Sequence, residues 1–447
     1  MSGESKKSSQ SLATAVIASN PDGASSVDIS NGLNEVRYYE SILSDTRTAT
    51  LVYVDSGGSI NGKSTLDGLP ITGGEKVILK IKDLNDKEIV VNNNNALYVN
   101  QVTPLSENTN NQIVSLELKS REYFLNEKIR VSKKFTGKIS DNVRILLAEE
   151  LGTEKELHIE DTLDNYNFIG NLKKPFYLIN WLSKRSTPQL NSDALGKTAG
   201  FFFFETSEGY HFKSIDRLLQ KGENPPKRSI IYNDTPDTGG KDIPKKYDTK
   251  ALTFQKGNLV NLGEKYKVGA FSSKIISFDP FSCFYEVRRF NNTSFEDSYR
   301  SAGIDLPREN QELIPEGSEE KSDFSRTTYY LMDTGTLPDG NVDQQLSKSK
   351  DENFKSRDIV NQAIMRYNLL FSSKIEITIA GDFELHAGDS VFFDSAELTD
   401  KVNSNVNEQS GGLYIISELC HFVSAKGTFT KLNLIRDSFG RKGKPGG

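Results

Sequence analysis

Residues 57–65 read GGSINGKST, with Gly57, four intervening residues and then Gly62-Lys63-Ser64. This is the spelling of a phosphate-binding loop, in which glycine-rich backbone N–H groups cradle phosphates and the lysine reaches their oxygens. A second group of reactive types is Asp382, Glu384, His386 and Asp389. If that segment is a strand, Asp382, Glu384 and His386 share one face and Phe383 and Leu385 the other. Such a face has the donor types of a metal site or of an acid–base pair. The remaining histidines are His158, His211 and His421. Glu149-Glu150 raises the question of glycoside hydrolysis. Lys133-Lys134, Lys173-Lys174 and Lys245-Lys246 raise that of nucleic-acid contact.

Each chemistry requires elements that place its groups. A phosphate loop needs a strand before it and a helix after it, whose N-terminus aligns the donors. The strand is present in ATLVYVD at 49–55, but TLDGLPITGGEKV follows Ser64 and brings Gly68, Pro70, Gly73 and Gly74. A helix there would lose about 1 kcal/mol per glycine and about 3 for the proline. The expectation is a loop without a helix, and Lys63 as a solvated charge. A P-loop ATPase acting through Gly57, Gly62, Lys63 and Ser64 is therefore the rival reading, not the preferred one. Adjacent glutamates on a helix diverge and cannot converge across a sugar, which disfavours a tail-associated cell-wall hydrolase. The acidic–histidine face is read as a solvated surface or a subunit contact, and the lysine pairs as solvated charges.

The chain has 447 residues, enough for several domains, with 25 Phe and 17 Tyr but only 36% hydrophobic residues. That mixture suits β-rich domains with wet surfaces and long loops. The net charge of −6 argues against a dedicated nucleic-acid binder. Cys283 and Cys420 provide no disulfide framework or cysteine zinc site, which fits folding in a reducing cytoplasm. No apolar run approaches the roughly 20 residues of a membrane helix. The short LATAVIA run at 12–18 follows Lys6 and Lys7, but its Ser-rich surroundings favour a flexible arm over a signal peptide.

Hydrophobic periodicity divides the chain. Residues 1–34 are expected to be a flexible Ser-rich arm, and 35–121 a first β domain of short alternating strands. Residues 122–221 read as an α+β region. There Ser140 is expected to cap a helix carrying Val143, Leu146, Leu147 and Leu151, with Gly152 as its stop. Pro175 is expected to open a second helix. GFFFFETSEGYHF at 200–212 reads as a hairpin around Ser207-Glu208-Gly209. Residues 222–250, with Pro225, Pro226, Pro236, Pro244, Gly239 and Gly240, read as a linker or extended loop. A second β domain is expected from 251–290 and 372–437. Between its parts, 291–371 reads as a polar insertion followed by a helix capped by Ser356. A basic tail occupies 438–447.

The two β domains align with one another. Leu69, Ile71, Gly74-Glu75, Val77 and Leu79 match Phe383, Leu385, Gly388-Asp389, Val391 and Phe393 at an offset of 314 (69 to 383). Leu97-Tyr98-Val99 is expected to match Leu413-Tyr414-Ile415, and Leu116 and Leu118 to match Leu432 and Leu434, at an offset of 316 (116 to 432). Glu384 and His386 fall opposite Pro70 and Thr72, so the acidic–histidine chemistry is not part of the repeat. The fold class expected is α+β, mainly β, with two similar antiparallel β-barrel-like, tube-type domains, an intervening α+β region and loop insertions.

The two-copy architecture, the GFFFFETSEGYHF hairpin with its following SIDRLL, and RDIVNQAIMRYNLLF leading into ITIAGDFELHAGDSVFFD and GGLYIISELCHFVSAKGTFTKLNLIRDS carry a likeness. In segment order and pattern they resemble the central baseplate hub protein of contractile-tailed, T-even-like bacteriophages, over roughly 35–220 and 355–437. The resemblance implies a non-enzymatic virion protein of the tail baseplate, assembled in the host cytoplasm. It implies a homotrimer joining a hexameric tail tube or tube initiator to a trimeric central spike. The tape measure protein and baseplate wedges would be further partners, with DNA passing only in transit during ejection. Two similar domains per chain would turn three-fold into quasi-six-fold symmetry. No catalytic, cofactor-binding or metal-ligating residue is expected. A receptor- or glycan-binding β protein is the remaining alternative.

Overall fold

A computed structural model of the chain describes residues 13–18, 25–58, 60, 62–108, 110–163, 165–189, 199–219, 224–233, 246–257, 261–279, 283–291, 301–308, 310–313, 325–331, 356–396, 406–443 and 445. The architecture below is that of these residues.

The first β unit comprises β1 (Ala13–Ala18), β2 (Ser26–Asp28), β3 (Leu33–Ser41), β4 (Thr48–Asp55), β5 (Lys76–Lys82), β6 (Glu88–Val91), β7 (Leu97–Glu107) and β8 (Gln112–Ser120). A single helical turn, α1 (Thr65–Gly68), interrupts it. Side chains alternate across the pleat, so Ala49, Leu51 and Tyr53 of β4 and Val114, Leu116 and Leu118 of β8 face one buried core. Each such apolar side chain contributes about 1.5–3 kcal/mol by leaving water. The expected flexible arm is corrected in part. Ala15 and Ile17 are fully buried and β1 pairs antiparallel with β5, because LATAVIA supplies the apolar alternation that this edge lacks. Residues 1–12 and 19–24 lie outside the described residues.

The α+β region follows: α2 (Arg121–Lys128), β9 (Lys134–Phe135), α3 (Ile139–Ile145), a π-helical turn at Leu146–Glu150, β10 (Leu157–Ile159), β11 (Phe168–Ile169), α4 (Pro175–Ser183), β12 (Phe201–Thr206), β13 (Gly209–Ser214) and α5 (Ile215–Leu219). Val143, Leu146, Leu147 and Leu151 form the expected buried stripe, and Gly152 ends the helix at φ 58°. Ser140 is not the cap. Lys138 holds the N-cap position, and the Ser140 N–H donates instead to Thr162 Oγ1 at 3.0 Å. Pro175 does open α4. In the β12–β13 hairpin Gly209 has φ 140°, and a Cβ there would meet the Glu156 carbonyl oxygen at 2.2 Å, so only glycine fits.

The linker and second-domain boundaries are also corrected. Within 222–250, β14 (Ser229–Tyr232) and β15 (Thr249–Lys250) are strands of the second unit, joined by β16 (Thr253–Lys256). The chain then passes through α6 (Leu262–Val268), β17 (Ser272–Asp279), β18 (Phe284–Asn291) and β19 (Arg326–Leu331). These three strands form a sheet of their own, not part of the second unit. Helix α7 (Ser356–Leu370) leads to β20 (Ser373–Ala380), β21 (Ser390–Ser395), β22 (Gly412–Ser424) and β23 (Gly427–Arg436). Pro236, Gly239, Gly240, Pro244 and most of 291–354 lie outside the described residues.

The repeat is real at the level of hydrogen bonds. The first unit runs β3-β4-β8-β7-β5-β1-β2, and the second runs β16-β20-β23-β22-β21-β14-β15 in the same order. Thr72 N–H donates to Glu75 Oε1 at 2.7 Å, and His386 N–H, 314 residues on, donates to Asp389 Oδ2 at 2.8 Å. Gly74 N–H bonds the Val99 carbonyl at 2.7 Å, as Gly388 N–H bonds that of Ile416 at 2.8 Å. A bulge interrupts β7 between Val99 and Gln101 and β22 between Ile416 and Glu418.

These pairings correct one register. Tyr98 lies opposite Lys76 and Ile415 opposite Ser390, so this strand is offset by 317 (98 to 415), not 316. Leu97 and Val99 therefore match Tyr414 and Ile416, which face the second core. Leu413 and Ile415 point the other way, since a one-residue slip exchanges the faces. The units differ in that β1 is antiparallel to β5 but β14 is parallel to β21. Neither closes as a barrel of its own. The C-terminal half of β22 pairs with β3, so both units merge into one 15-stranded sheet.

Candidate assembly surfaces and the polar junction

The phosphate-loop spelling folds around an internal anion. Asp55, at the end of β4, accepts from Gly57 N–H at 2.9 Å through Oδ1 and from Thr65 N–H through Oδ2. The Gly58 N–H is taken by the Lys63 carbonyl at 3.0 Å. A helical turn does follow Ser64, against expectation, because Ser64 caps it by accepting from Asp67 N–H at 3.2 Å. It is four residues long. With a carboxylate already on the donors, the loop offers a phosphate repulsion rather than a cradle.

Asp382, Glu384, His386 and Asp389 lie on the turn between β20 and β21, not in a strand. Asp382 and Glu384 engage Arg228 at 2.7 and 2.5 Å, and Glu384 also meets Lys87 at 2.5 Å. Hydrogen bonds from Lys87 and Arg228 hold the Glu384 carboxyl down to about 2. Asp389 pairs with Lys227 at 2.9 Å. His386 turns inward, where its Nδ1 lies 3.2 Å from Glu40 Oε2. The basic pairs are likewise engaged: Lys133 with Glu149 and Glu150 at 3.1 and 2.8 Å, Lys174 with Glu127, and Lys173 over the Tyr177 ring. Lys246 lies over the Tyr247 ring, and Lys245 is outside the described residues.

A different trio, His158, Glu208 and His211, brings its ligand atoms within 4.8 Å of one another. The two rings are stacked at 4.6 Å and 14°, so their lone pairs run in neighbouring, nearly parallel planes rather than toward one point. His211 is held neutral, its pKa pushed down to about 2 by burial, with Lys213 adding to the effect.

What joins the molecule is a buried polar junction. Glu205 of β12 forms an ion pair with Arg47, whose Nε lies 3.0 Å away, and accepts from the Arg47 backbone N–H at 3.2 Å, from Lys155 Nζ at 2.7 Å and from Ser120 Oγ at 2.7 Å. Lys155 also meets Glu122 of α2 at 2.5 Å. Glu40 of β3 accepts from Ser207 N–H at 2.6 Å and from Ala387 N–H at 3.2 Å, beside His386. Burial opposes the charge on Glu40, but the adjoining His386 prevails and lowers its pKa. Burial likewise opposes the His386 cation, and Glu40 overcomes it, raising that pKa to about 9. His421 is sandwiched between Thr430 Oγ1 and the Leu385 carbonyl at 3.0 and 3.2 Å, and burial pushes it down to about 4. Sequence reasoning missed Glu40 and Glu205. Their signal is an acid at an inward position, two residues after Tyr38 in RYYE and directly after four phenylalanines in FFFFE.

Among the described residues, two surfaces are notably open. In β7 the segment after the bulge, Gln101 to Glu107, pairs only with β8, and Leu105 is 57% exposed. On the separate sheet, Phe278 lies opposite Tyr285 and Leu331, and Ile276 opposite Val287 and Tyr329. Phe278, Tyr285, Val287, Tyr329 and Leu331 are all exposed, an apolar patch of the kind that marks interaction surfaces.

No protein-family model matches the chain, and no curated protein matches it. Among solved structures it is similar to the 43 kDa tail protein of prophage MuSo2 from Shewanella oneidensis, with TM-score 0.53 and 8% identity over 96% of this chain and 99% of that one. It is also similar to the tail protein from Neisseria meningitidis MC58 (TM-score 0.47, 9% identity, 95% and 97% covered). A third is prophage tail protein gp18 from Listeria monocytogenes EGD-e (TM-score 0.42, 9% identity, 94% and 94% covered). Only the first carries weight. It shows that this chain, mainly β with several sheets, has the fold of a prophage tail protein.

Proposed function

We propose that the chain is a structural baseplate hub: a non-enzymatic virion protein that assembles as a trimer, joins a six-fold tail tube to a three-fold spike, and surrounds the passage for DNA. The observation that carries this reading is the pair of β units with one strand order, one bulge and one set of turn hydrogen bonds in a single chain. Three copies would present six equivalent units to a hexameric partner, which a single-unit trimer cannot do. The likeness to a prophage tail protein supports the tail as the setting.

The engaged state of the reactive groups agrees with a structural role. Asp55 fills the phosphate-like loop, the acids considered for catalysis are engaged by Arg228, Lys87, Lys227 and Lys133, and Lys173 and Lys246 lie over tyrosine rings. The test is the mass and symmetry of the purified protein, alone and mixed with a tail spike protein. Three copies with three-fold or quasi-six-fold projections are expected. A monomer persisting in the presence of the spike would sink the reading.

A further inference from the structure

Strand β10 runs parallel to β13, and their register sets His158 directly beside His211. Phe204 of β12 flanks His211 on the other side, its ring 5.0 Å from the imidazole and nearly parallel to it. His211 is buried, and its Nε2 lies 2.8 Å from Thr206 Oγ1. Its Nδ1 is buried without a hydrogen-bond partner, and so is the Nε2 of His158. Two adjacent imidazoles, each with an orphan buried nitrogen, call for a partner, because buried polar atoms are satisfied by protein, water or an ion. Glu208 stands beside them at the tip of the β12–β13 hairpin, with its side chain 52% exposed. One ligand atom from each of the three residues lies within 4.8 Å of the others.

We propose that His158, Glu208 and His211 take up a divalent transition-metal ion, zinc by its donor set, which pins the hairpin tip to β10. Two imidazoles and one carboxylate are ligands that zinc accepts, with a fourth position left for water. Tetrahedral zinc with bonds of about 2.0–2.2 Å holds its ligand atoms roughly 3.4 Å apart, so the trio must draw in by at most about 1.4 Å. The stacked rings cannot both aim at one ion as they stand, so one of them must turn. His211 is held between Phe204 and Thr206 and serves as the anchor. His158 is the ring that turns, since its side chain is 31% exposed and its Nε2 is uncommitted.

Thr206 is the positioning residue. A metal-bound histidine keeps its other ring nitrogen on a hydrogen-bond partner, which fixes its tautomer and orientation. Thr206 Oγ1 accepts from the Glu208 N–H at 3.2 Å, and by accepting also from His211 Nε2–H it leaves the Nδ1 lone pair for the ion. The same hydroxyl therefore orders two of the three ligands. The role is structural: the β10–β13 ladder is three residue pairs long, and an ion across it braces a short junction. All three ligands belong to one chain, so the site does not depend on the number of copies or on the hub reading.

The test uses the full chain without a histidine tag, stripped with chelator, in a Cys283→Ser background that removes the exposed thiol. Calorimetric titration with zinc alone should give one site per chain, and cobalt(II) should develop the visible absorption of a tetrahedral nitrogen–oxygen site. His158→Gln and Glu208→Gln change side chains that reach solvent and should fold as the parent does, by circular dichroism. Each should weaken zinc by at least about tenfold, and Thr206→Val by about 10–100-fold. His386→Gln, whose parent Nε2 is 3.8 Å from Glu208 Oε1, should bind zinc as the parent does. Zinc should also raise the unfolding midpoint of the parent and not that of His158→Gln. The absence of saturable zinc binding would overturn the proposal. Binding undiminished in His158→Gln and Glu208→Gln, or lost only in His386→Gln, would place the ion elsewhere and overturn it too. Any of these failures leaves the trimeric hub standing.

Discussion

Buried charges decide the chemistry of single residues here. His386 is raised to about 9 beside Glu40, so its stabilising contribution is complete below its ordinary pKa of 6.5 and is lost as pH rises through 9. His421 and His211, pushed down to about 4 and 2, work in the opposite sense, and stability falls as pH drops below 6.5. Denaturant unfolding across pH should therefore show a maximum near neutrality. In His386→Gln the loss between pH 6.5 and 9.5, on the order of 2–3 kcal/mol in the parent, should flatten. At the other acid, Glu205→Ala leaves Arg47 buried without its carboxylate and leaves Lys155 with Glu122 alone. It should cost about 3–5 kcal/mol in unfolding free energy. At the phosphate-like loop, calorimetric titration with ATP and magnesium should show no binding, and Lys63→Ala should change nothing. Micromolar binding abolished by that substitution would overturn the reading of Asp55 as the loop's own anion.

Strands and their register are where the repeat acquires physical content. Leu116 on β8 and Leu432 on β23 occupy the same place in equivalent sheets, and both are fully buried. Leu116→Ala and Leu432→Ala should each cost about 2–5 kcal/mol, measured by denaturation. By contrast Tyr329 is 78% exposed on the apolar face of β19. Tyr329→Ser should change stability by no more than about 0.5 kcal/mol, which separates a contact surface from a core. The match of Leu116 and Leu118 to Leu432 and Leu434 was legible because period-two leucines on a central strand have one buried face. The match of Leu97-Tyr98-Val99 slipped by one because GLYIIS is apolar on both faces, its outer residues Leu413 and Ile415 being covered from the other side. A pattern without alternation carries no register.

For the whole molecule, the junction between β3 and β22 joins the two units into one sheet. It ties the first unit to the second through Val36, Tyr38 and their partners, while the polar junction fixes the hairpin of β12 and β13 against both. Among the described residues the chain carries one unit–unit strand pairing, and the half of β7 after its bulge pairs only with β8. Light scattering of the purified protein should accordingly report three copies, with the mass independent of magnesium or chelator.

The sequence by itself determined the elements and the repeat, because period-two alternation, a glycine–acid turn and a proline at a helix start act on neighbours along the chain. It also read the glycine-rich spelling as a loop between two strands. Tertiary structure alone decided that Asp55 fills that loop, that Ala13–Ala18 is a strand with Ala15 and Ile17 in the core, that β14 and β15 lie within a proline-rich stretch, and that β17 to β19 form a sheet apart. It alone brought Glu40 to His386 and Glu205 to Arg47 and Lys155. Those outcomes depend on pairing between residues tens to hundreds of positions apart, where the partner supplied by the fold, not the residue type, sets whether a charge or a strand edge is satisfied.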